Sequence, residues 1–315
     1  MIGKDLMYAA NELKLGNLVA IPTETVYGLA ANAFDKDAVL KIFEAKNRPF
    51  FDPLILHTDS IEKLEQLVLN IPNKLMLLSR QFMPGPLTLL LPKRKNIPDI
   101  VTSGLPNVAV RIPKHPIALE LLSMLDFPLA APSANPFGYV SPTKAEHVEK
   151  QLGEKINYIL DGGDCEIGIE STIVGMEDDV VTVYRLGGLA IEEIEKFVGK
   201  VNVFSNQSSN PAAPGMLKSH YAPKKELIID DVKTFYSNNS NKKIGIISFQ
   251  KEYKLQNTIE LRLSVTGNLH EAAHNLFSSL RYFDETDVDV IVAEKFPDSF
   301  LGRAINDRLY RASAK

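Results

Sequence analysis

Residues 22–34 read PTETVYGLAANAF, and they follow a short apolar run, LVAI, at 18–21. A proline, two threonines, a glutamate and a glycine therefore stand where an apolar strand ends. In α/β sheets, loops at strand ends are where ligands are gripped. What matters next is whether other stretches of the chain converge on the same place.

Working outward, short apolar runs alternate with helical patterns. NLVAI (17–21), LILH (54–57), TLLLP (88–92), VAVRIP (108–113), LAAP (129–132), NYIL (157–160), STIVGM (171–176) and VVTVYRL (180–186) read as strands. Helical spacing appears in AVLKIFEAK, which Asp35 would cap, and in SIEKLEQLVL, NKLMLLSRQFM, PIALELLSML and TKAEHVEKQL. The N-terminus, MIGKDLMYAANELKLG, reads as an amphipathic helix rather than a signal peptide. Mixed units of this kind predict a layered α/β domain over residues 1–204.

Composition changes at 205–225, which is rich in Ser, Asn, Pro and Ala and reads as a linker. Beyond it, ELIID, KIGIISF, TIELRL and VDVIVAEKF are strand-like, alternating with a helix over 268–284 and a last helix, LGRAINDRLYRAS. Residues 226–315 thus predict a second, smaller α/β unit of Rossmann-like pattern.

The 315 residues suffice for two cores. Hydrophobic content of 45% and charged content of 23% are ordinary for a globular protein, and a net charge of -4 makes any anion site a local one. A single cysteine, Cys165, excludes an internal disulfide framework and fits a reducing compartment. No apolar run approaches the roughly 20 residues of a membrane span, so the expectation is a cytoplasmic protein. Neither a P-loop nor a dinucleotide fingerprint is present.

Several stretches carry candidate chemistry. HEAAH (270–274) matches a zinc-protease pattern, but Leu269, Ala273, Leu276, Leu280 and Phe283 form a packing stripe through it and no third histidine follows. It is read as core, with no metal site. Lys46 and Arg48 sit at a helix end before Pro49. They fit either a helix C-terminus favouring cations or a phosphate grip. Arg111 lies inside an apolar strand, where it either pairs with a structural carboxylate or holds an anionic substrate. APSANPFGYVSPT (131–143) brings Ser133, Asn135 and Ser141 to a loop, and Ser141 before Pro142 reads as a helix N-cap, itself an anion site. Ser171 and Arg185 are polar residues at strand ends.

As an ordered set, PTETVYGLAANAF, KIFEAKNRPFFDPLILH, PGPLTLLL, VAVRIPKHP, APSANPFGYVSPT, DGGDCEIGIESTIV, YRLGG and APGMLKSHYAP resemble the YrdC-like L-threonylcarbamoyladenylate synthases in their long two-domain form. The resemblance spans about residues 17–224 and continues less sharply through GRAINDRLYRAS. It implies a twisted open mixed sheet followed by the smaller unit. It implies a nucleotidyltransferase that makes threonylcarbamoyl-AMP, pyrophosphate and water from ATP, L-threonine and bicarbonate. It also implies Mg2+ carried with ATP, and a downstream tRNA-modifying transferase complex that moves the group to a tRNA adenosine beside the anticodon.

Carried onto this chain, the resemblance gives Thr23, His57, Arg111 and Ser171 to threonine. It gives Lys46, Arg48, Asp52, Asn107, Ala131, Ser133, Ser141, Arg185 and Tyr221 to ATP, with Lys46 and Arg48 stabilising charge during catalysis. Asp52 stands where relatives often have Asn, and an anion beside phosphates repels them unless Mg2+ or water bridges it. Asn107 stands where some relatives have Thr. No general base is evident. In the linker, Pro214, Gly215 and Pro223 restrict bending, and the rings of His220 and Tyr221 are expected to cover the nucleotide as a lid. The competing expectation is a double-stranded RNA-binding module without turnover, recognised by steep salt dependence. A carbamoyltransferase domain resembles the same fold, but the zinc-finger and acylphosphatase-like segments of such enzymes are missing from this sequence.

Overall fold

The computed structural model describes residues 1–204, 215–217 and 219–314. Residues 205–214 and Lys218 of the expected linker, Pro214 among them, lie outside the described residues. In chain order the first unit contains β1 (Ile2–Gly3), α1 (Leu6–Lys14), β2 (Val19–Ile21), β3 (Gly28–Asn32), α2 (Lys36–Lys46), β4 (Ile55–His57), α3 (Ile61–Glu65) and α4 (Asn73–Phe82). It continues with β5 (Leu87–Pro92), α5 (Asp99–Thr102), β6 (Asn107–Arg111), α6 (Pro116–Ser123), β7 (Leu129–Ala130), α7 (Ala145–Leu152), β8 (Tyr158–Leu160), β9 (Thr172–Glu177), β10 (Val180–Arg185), α8 (Ile191–Val198) and β11 (Asn202–Val203). The second unit contains β12 (Glu226–Ile229), α9 (Val232–Asn238), β13 (Ile244–Ser248), β14 (Thr258–Arg262), α10 (Leu269–Asp284), β15 (Val290–Ala293) and α11 (Leu301–Ser313).

The first unit is one 11-stranded mixed sheet in the order β1-β8-β2-β3-β7-β4-β6-β5-β9-β10-β11. The second is a 4-stranded sheet, β12-β15-β13-β14, with every neighbouring pair parallel. Helices cover both of its faces. α10 and α11 bury Leu276, Leu280, Ile305 and Leu309 on one side, and α9 packs Val232 and Phe235 on the other. Both the mixed sheet and the Rossmann-like unit agree with the sequence reading.

Strand alternation explains how the first sheet presents polar groups. Side chains two apart share a face. Leu54, Leu56, Val108, Val110, Leu87, Leu89 and Val174 enter the main core on one face. Ile55, Ala109, Leu90 and Ile173 point the other way, where Met216 packs on them. His57, Arg111, Thr88 and Ser171 follow the same parity and so belong to that second face. Register completes the clustering: His57 lies opposite Arg111, Arg111 opposite Thr88, and Thr88 opposite Ile173.

Three local differences from the sequence reading have simple causes. GLAAN, not named among the strands, is β3. It holds mainly Gly and Ala with no β-branched residue, so its strand signal is weak. The N-terminal helix begins at Leu6, capped by the Asp5 side chain, because Ile2–Gly3 pairs with β8. Ser141 is not a helix N-cap. α7 starts at Ala145 after Lys144, and the Ser141 hydroxyl donates instead to Glu170 Oε1 at 2.6 Å. Asp35 does cap α2, accepting from the amides of Asp37 and Ala38.

The two units share a core. Val26, Val140, Ile169, Ala190 and Tyr221 cluster with Phe277, Leu280 and Ile305 of the second unit. Polar contacts reinforce this: Arg281 of α10 donates to the Ser141 carbonyl at 3.2 Å and to Gln151 Oε1 at 3.0 Å. The Asp284 carboxylate accepts from the amides of Lys224 and Lys225, each at 3.0 Å, and from the Tyr139 hydroxyl.

Candidate active site

A cleft of about 550 Å³, counting its open mouth, lies on the second face of the sheet. Thr23, Arg48, His57, Arg111, Ala131, Ser133, Ser171, Arg185 and Tyr221 all line it. Residues scattered from 23 to 221 thus meet in one place. Glu170, Gly215 and His220 also line it.

The loop after β2 is a compact turn. Thr23 Oγ1 donates to the Val26 carbonyl at 2.6 Å and accepts from the amides of Thr25 and Val26. This local bonding fixes the PTET segment without a helix or ladder. It also aims Glu24 inward, where it forms a 2.6 Å ion pair with Arg111 at 3% and 4% side-chain exposure. Arg111 further donates to Thr25 Oγ1 at 2.8 Å and to the Gly85 carbonyl at 3.1 Å. Both alternatives for Arg111 therefore hold together: it has a structural carboxylate and it lines the cleft. Nε and Nη1 each make a hydrogen bond, while Nη2 has its ion pair with Glu24 and no hydrogen-bond partner among the described residues.

His57 stands beside Arg111 with Nδ1 3.2 Å from the Ile55 carbonyl. Burial, then the neighbouring Arg111 charge, pushes its pKa down to about 3, so it is neutral and holds no charge of its own. Ser171 Oγ lies 2.7 Å from Thr88 Oγ1 and accepts from Arg185 Nη2 at 3.1 Å, while the Ser171 carbonyl accepts from the same guanidinium. Gly187 makes this wall possible. A Cβ there would lie 2.3 Å from the Glu170 carbonyl and 2.6 Å from that of Ser171, so only glycine lets the YRLGG segment lie against it.

Three residues assigned to ATP from the resemblance, Lys46, Asp52 and Ser141, sit behind the wall. Lys46 is fully buried, and its ammonium donates to the Ser133 carbonyl at 2.6 Å and to that of Asn135. Burial, with Arg48 close by, lowers its pKa well below the ordinary lysine value. Its contacts make Lys46 a brace for the 133–135 loop. Asp52 is buried and pairs with Arg48 Nη2 at 2.9 Å, so its charge is offset within its own turn. Arg48 also donates to the Asp52 and Pro53 carbonyls. Ser141 bonds Glu170, as above. Asn107 shares the Arg111 face of β6 but stands at the other end of that strand.

The outer wall is the segment after residue 214. Gly215, with φ of 78°, approaches so closely that a Cβ would lie 2.8 Å from the Tyr221 hydroxyl. Tyr221 is buried in the left-handed region at φ 65°. Its ring stacks on Phe277 at 5.5 Å, and its hydroxyl has no hydrogen-bond partner among the described residues. His220 packs edge-on against Tyr221, and burial followed by the charge of Arg48 pushes its pKa well below the usual value. Both rings line the cleft.

Sequence reasoning missed Glu24 and Glu170. A lone glutamate looks like a surface residue, and the available signal was its setting: each stands in a run of small polar residues beside a strand end. HEAAH lies on α10, where His274 Nδ1 meets the Glu166 carbonyl at 3.0 Å. Among the described residues no group of three or more His, Cys, Asp or Glu is placed to hold a metal ion. No helix among the described residues is long and apolar enough to cross a membrane.

Comparison with known proteins fits this geometry. Residues 11–187 match the Sua5/YciO/YrdC family, described as telomere recombination. Residues 189–314 match a family described as threonylcarbamoyl-AMP synthase, C-terminal domain. The chain is 43% identical to the threonylcarbamoyl-AMP synthase of Pyrococcus abyssi, with 97% of this chain and 93% of that protein covered. It is 41% identical to the enzyme of the same name from Bacillus subtilis, covering 97% and 92%. The crystal structure of P. abyssi Sua5 complexed with L-threonine superposes with a TM-score of 0.91 at 41% identity, covering 99% of this chain and 97% of that one. E. coli YciO, at 22% identity and a TM-score of 0.52 over 59% of this chain, shares the fold of the first unit.

Proposed function

The chain belongs to the Sua5/YciO/YrdC family, and we propose that it is a threonylcarbamoyl-AMP synthase, a nucleotidyltransferase that converts ATP, L-threonine and bicarbonate to threonylcarbamoyl-AMP, pyrophosphate and water. The observation that carries the reading is the cleft itself. Arg111, neutral His57 and Ser171 occupy one end, and Arg48 and Arg185 bring further positive charge along it. A zwitterionic amino acid and a polyphosphate need that combination.

The carboxylate of threonine meets the guanidinium of Arg111. Its neutral amine combines with carbon dioxide or bicarbonate, and a carbamate oxygen attacks the α-phosphorus of ATP as pyrophosphate leaves. Arg48 and Arg185 steady the phosphates, and Lys46 acts by holding the 133–135 loop. No covalent enzyme intermediate is required, so positioning and charge stabilisation supply the catalysis. Carbamates lose carbon dioxide in water, and the rings of His220 and Tyr221, which line the cleft, would shield the carbamate from water. Among the described residues lining the cleft the only carboxylate is Glu170, and both its oxygens are engaged. Mg2+ would therefore be carried by the ATP phosphates and would supply charge neutralisation there. The product leaves for a tRNA-modifying transferase.

The test is pyrophosphate release from ATP with threonine and bicarbonate supplied together or singly. Release that needs both supports the proposal. Release unchanged when threonine is omitted refutes it.

A further inference from the structure

From the second unit, Arg308 of α11 reaches Glu170 and the Leu186 carbonyl of the first. It is fully buried, with a relative exposure of 0%. Nε donates to Glu170 Oε2 at 2.8 Å, Nη2 to the Leu186 carbonyl at 2.8 Å, and Nη1 to Asp307 Oδ2 at 2.6 Å. The flat face of the same guanidinium lies 4.9 Å from the centroid of the Tyr221 ring. Glu170 and Tyr221 are both walls of the cleft, whereas Arg308 is not. The other Glu170 oxygen accepts from Ser141, and Tyr221 also stacks on Phe277. One cation therefore fixes two walls from behind without touching the cleft.

We propose that Arg308 is a positioning residue for the nucleotide half of the cleft, making the second unit a working part of the active site; this rests on the reading of the cleft as an ATP site. A buried arginine needs partners for its charge, and apolar replacements often serve stability equally well. The geometry gives this one two further tasks. First, Glu170 is the carboxylate in a wall that must admit a triphosphate. Left unpaired, it would repel the phosphates and swing toward Arg48 or Arg185. Arg308 neutralises it and holds it against Ser141. Second, the guanidinium steadies the face of the Tyr221 ring, a cleft-lining residue whose hydroxyl has no partner among the described residues. Thr23, His57 and Arg111 make no hydrogen bond or ion pair with Arg308 among the described residues, and Ser171 is linked to it only through its chain neighbour Glu170, so the threonine end should feel its loss far less than the nucleotide end.

That asymmetry separates positioning from support of the fold. Isothermal titration of Mg-ATP and of L-threonine, each alone, against Arg308→Lys, Arg308→Met, Glu170→Gln and the double variant Arg308→Met/Glu170→Gln decides it, with melting temperatures recorded alongside. Arg308→Met should weaken Mg-ATP by about tenfold or more, the scale of one charge-assisted contact, and leave threonine within about twofold. Arg308→Lys should fall between. Adding Glu170→Gln should recover part of the ATP affinity, because no carboxylate then faces the phosphates, but not all of it, because Tyr221 still lacks its cation. Equal weakening of both ligands, or unaltered ATP affinity in a folded variant, overturns the proposal. If Arg308→Met fails to fold, the charge-balanced double variant carries the test. ATP affinity equal to that of the unaltered chain then overturns it. An unaltered chain that binds no ATP refutes both this inference and the functional reading. One that binds ATP but releases no pyrophosphate refutes the functional reading alone.

Discussion

Arg111→Lys is the sharpest perturbation of the threonine end. Removing the guanidinium altogether, as in Arg111→Ala, leaves Glu24 buried at 3% exposure without its 2.6 Å partner. Breaking a buried pair in this way costs about 3–5 kcal/mol, a large share of a typical total of about 5–15 kcal/mol. Loss of threonine binding in the alanine variant would therefore mix misfolding with a lost contact. Lysine keeps the charge opposite Glu24 and gives up the fork. It forfeits the bonds to Thr25 Oγ1 and the Gly85 carbonyl, roughly 1 kcal/mol each in net stability. It also forfeits the two-point grip on a carboxylate, worth about 1.5–3 kcal/mol, or roughly ten- to a hundredfold in threonine affinity. Titration calorimetry with L-threonine and with Mg-ATP, beside a thermal scan, reads all three quantities. The expected result is a folded variant with threonine weakened on that scale and ATP little changed. A folded variant that binds threonine within about twofold of the parent, or one that loses both ligands equally, refutes the assignment of Arg111 to the amino acid.

Other outcomes follow from the same geometry. His57 and His220 are held neutral in the fold while the unfolded chain takes up protons near pH 6.5, so stability is complete above that value and falls as pH drops below it. The loss should be about 1.4 kcal/mol per pH unit for each histidine; urea midpoints at pH 7 and pH 5.5 check this, and an unchanged midpoint contradicts it. Tyr221→Phe removes a buried hydroxyl that has no partner among the described residues, so the ligand-free protein should be as stable or about 1 kcal/mol more stable while binding ATP less well. A lowered melting temperature counts against this. The HEAAH segment should bind no stoichiometric zinc, and activity lost on chelation should return with Mg2+; return with zinc alone would overturn that reading.

Much of this was legible in the sequence because the chemistry follows strand parity. Ile55 and His57, or Ala109 and Arg111, announce one face of a strand whose neighbours are apolar on the other. Arg111 stood out as a charge inside an apolar strand and His57 came from the family resemblance; parity explains why the two share a face. The parts that were not legible depend on contacts across long separations. Nothing near Glu170 shows that it will meet an arginine 138 residues later, and Arg308 looks like any cation on an amphipathic helix. Lys46 carried a charge at a helix end in the sequence, but only the fold shows that two backbone carbonyls claim it. Ser141 before Pro142 had the grammar of an N-cap, and the buried Glu170 carboxylate outcompeted a helix terminus for its hydroxyl. Short elements also escaped: β1 spans Ile2–Gly3, and β3 lacks the branched side chains that mark a strand.

The central claim is the bond made between a carbamate of threonine and the α-phosphorus of ATP. Incubating the full chain with Mg-ATP, L-threonine and carbon-labelled bicarbonate, then identifying the nucleotide products by mass spectrometry, tests it most directly. The prediction is an adenylate that contains threonine and the bicarbonate label, formed in step with pyrophosphate and absent when threonine is withheld. An unlabelled threonine adenylate, or ATP consumed only to ADP and phosphate, would contradict it.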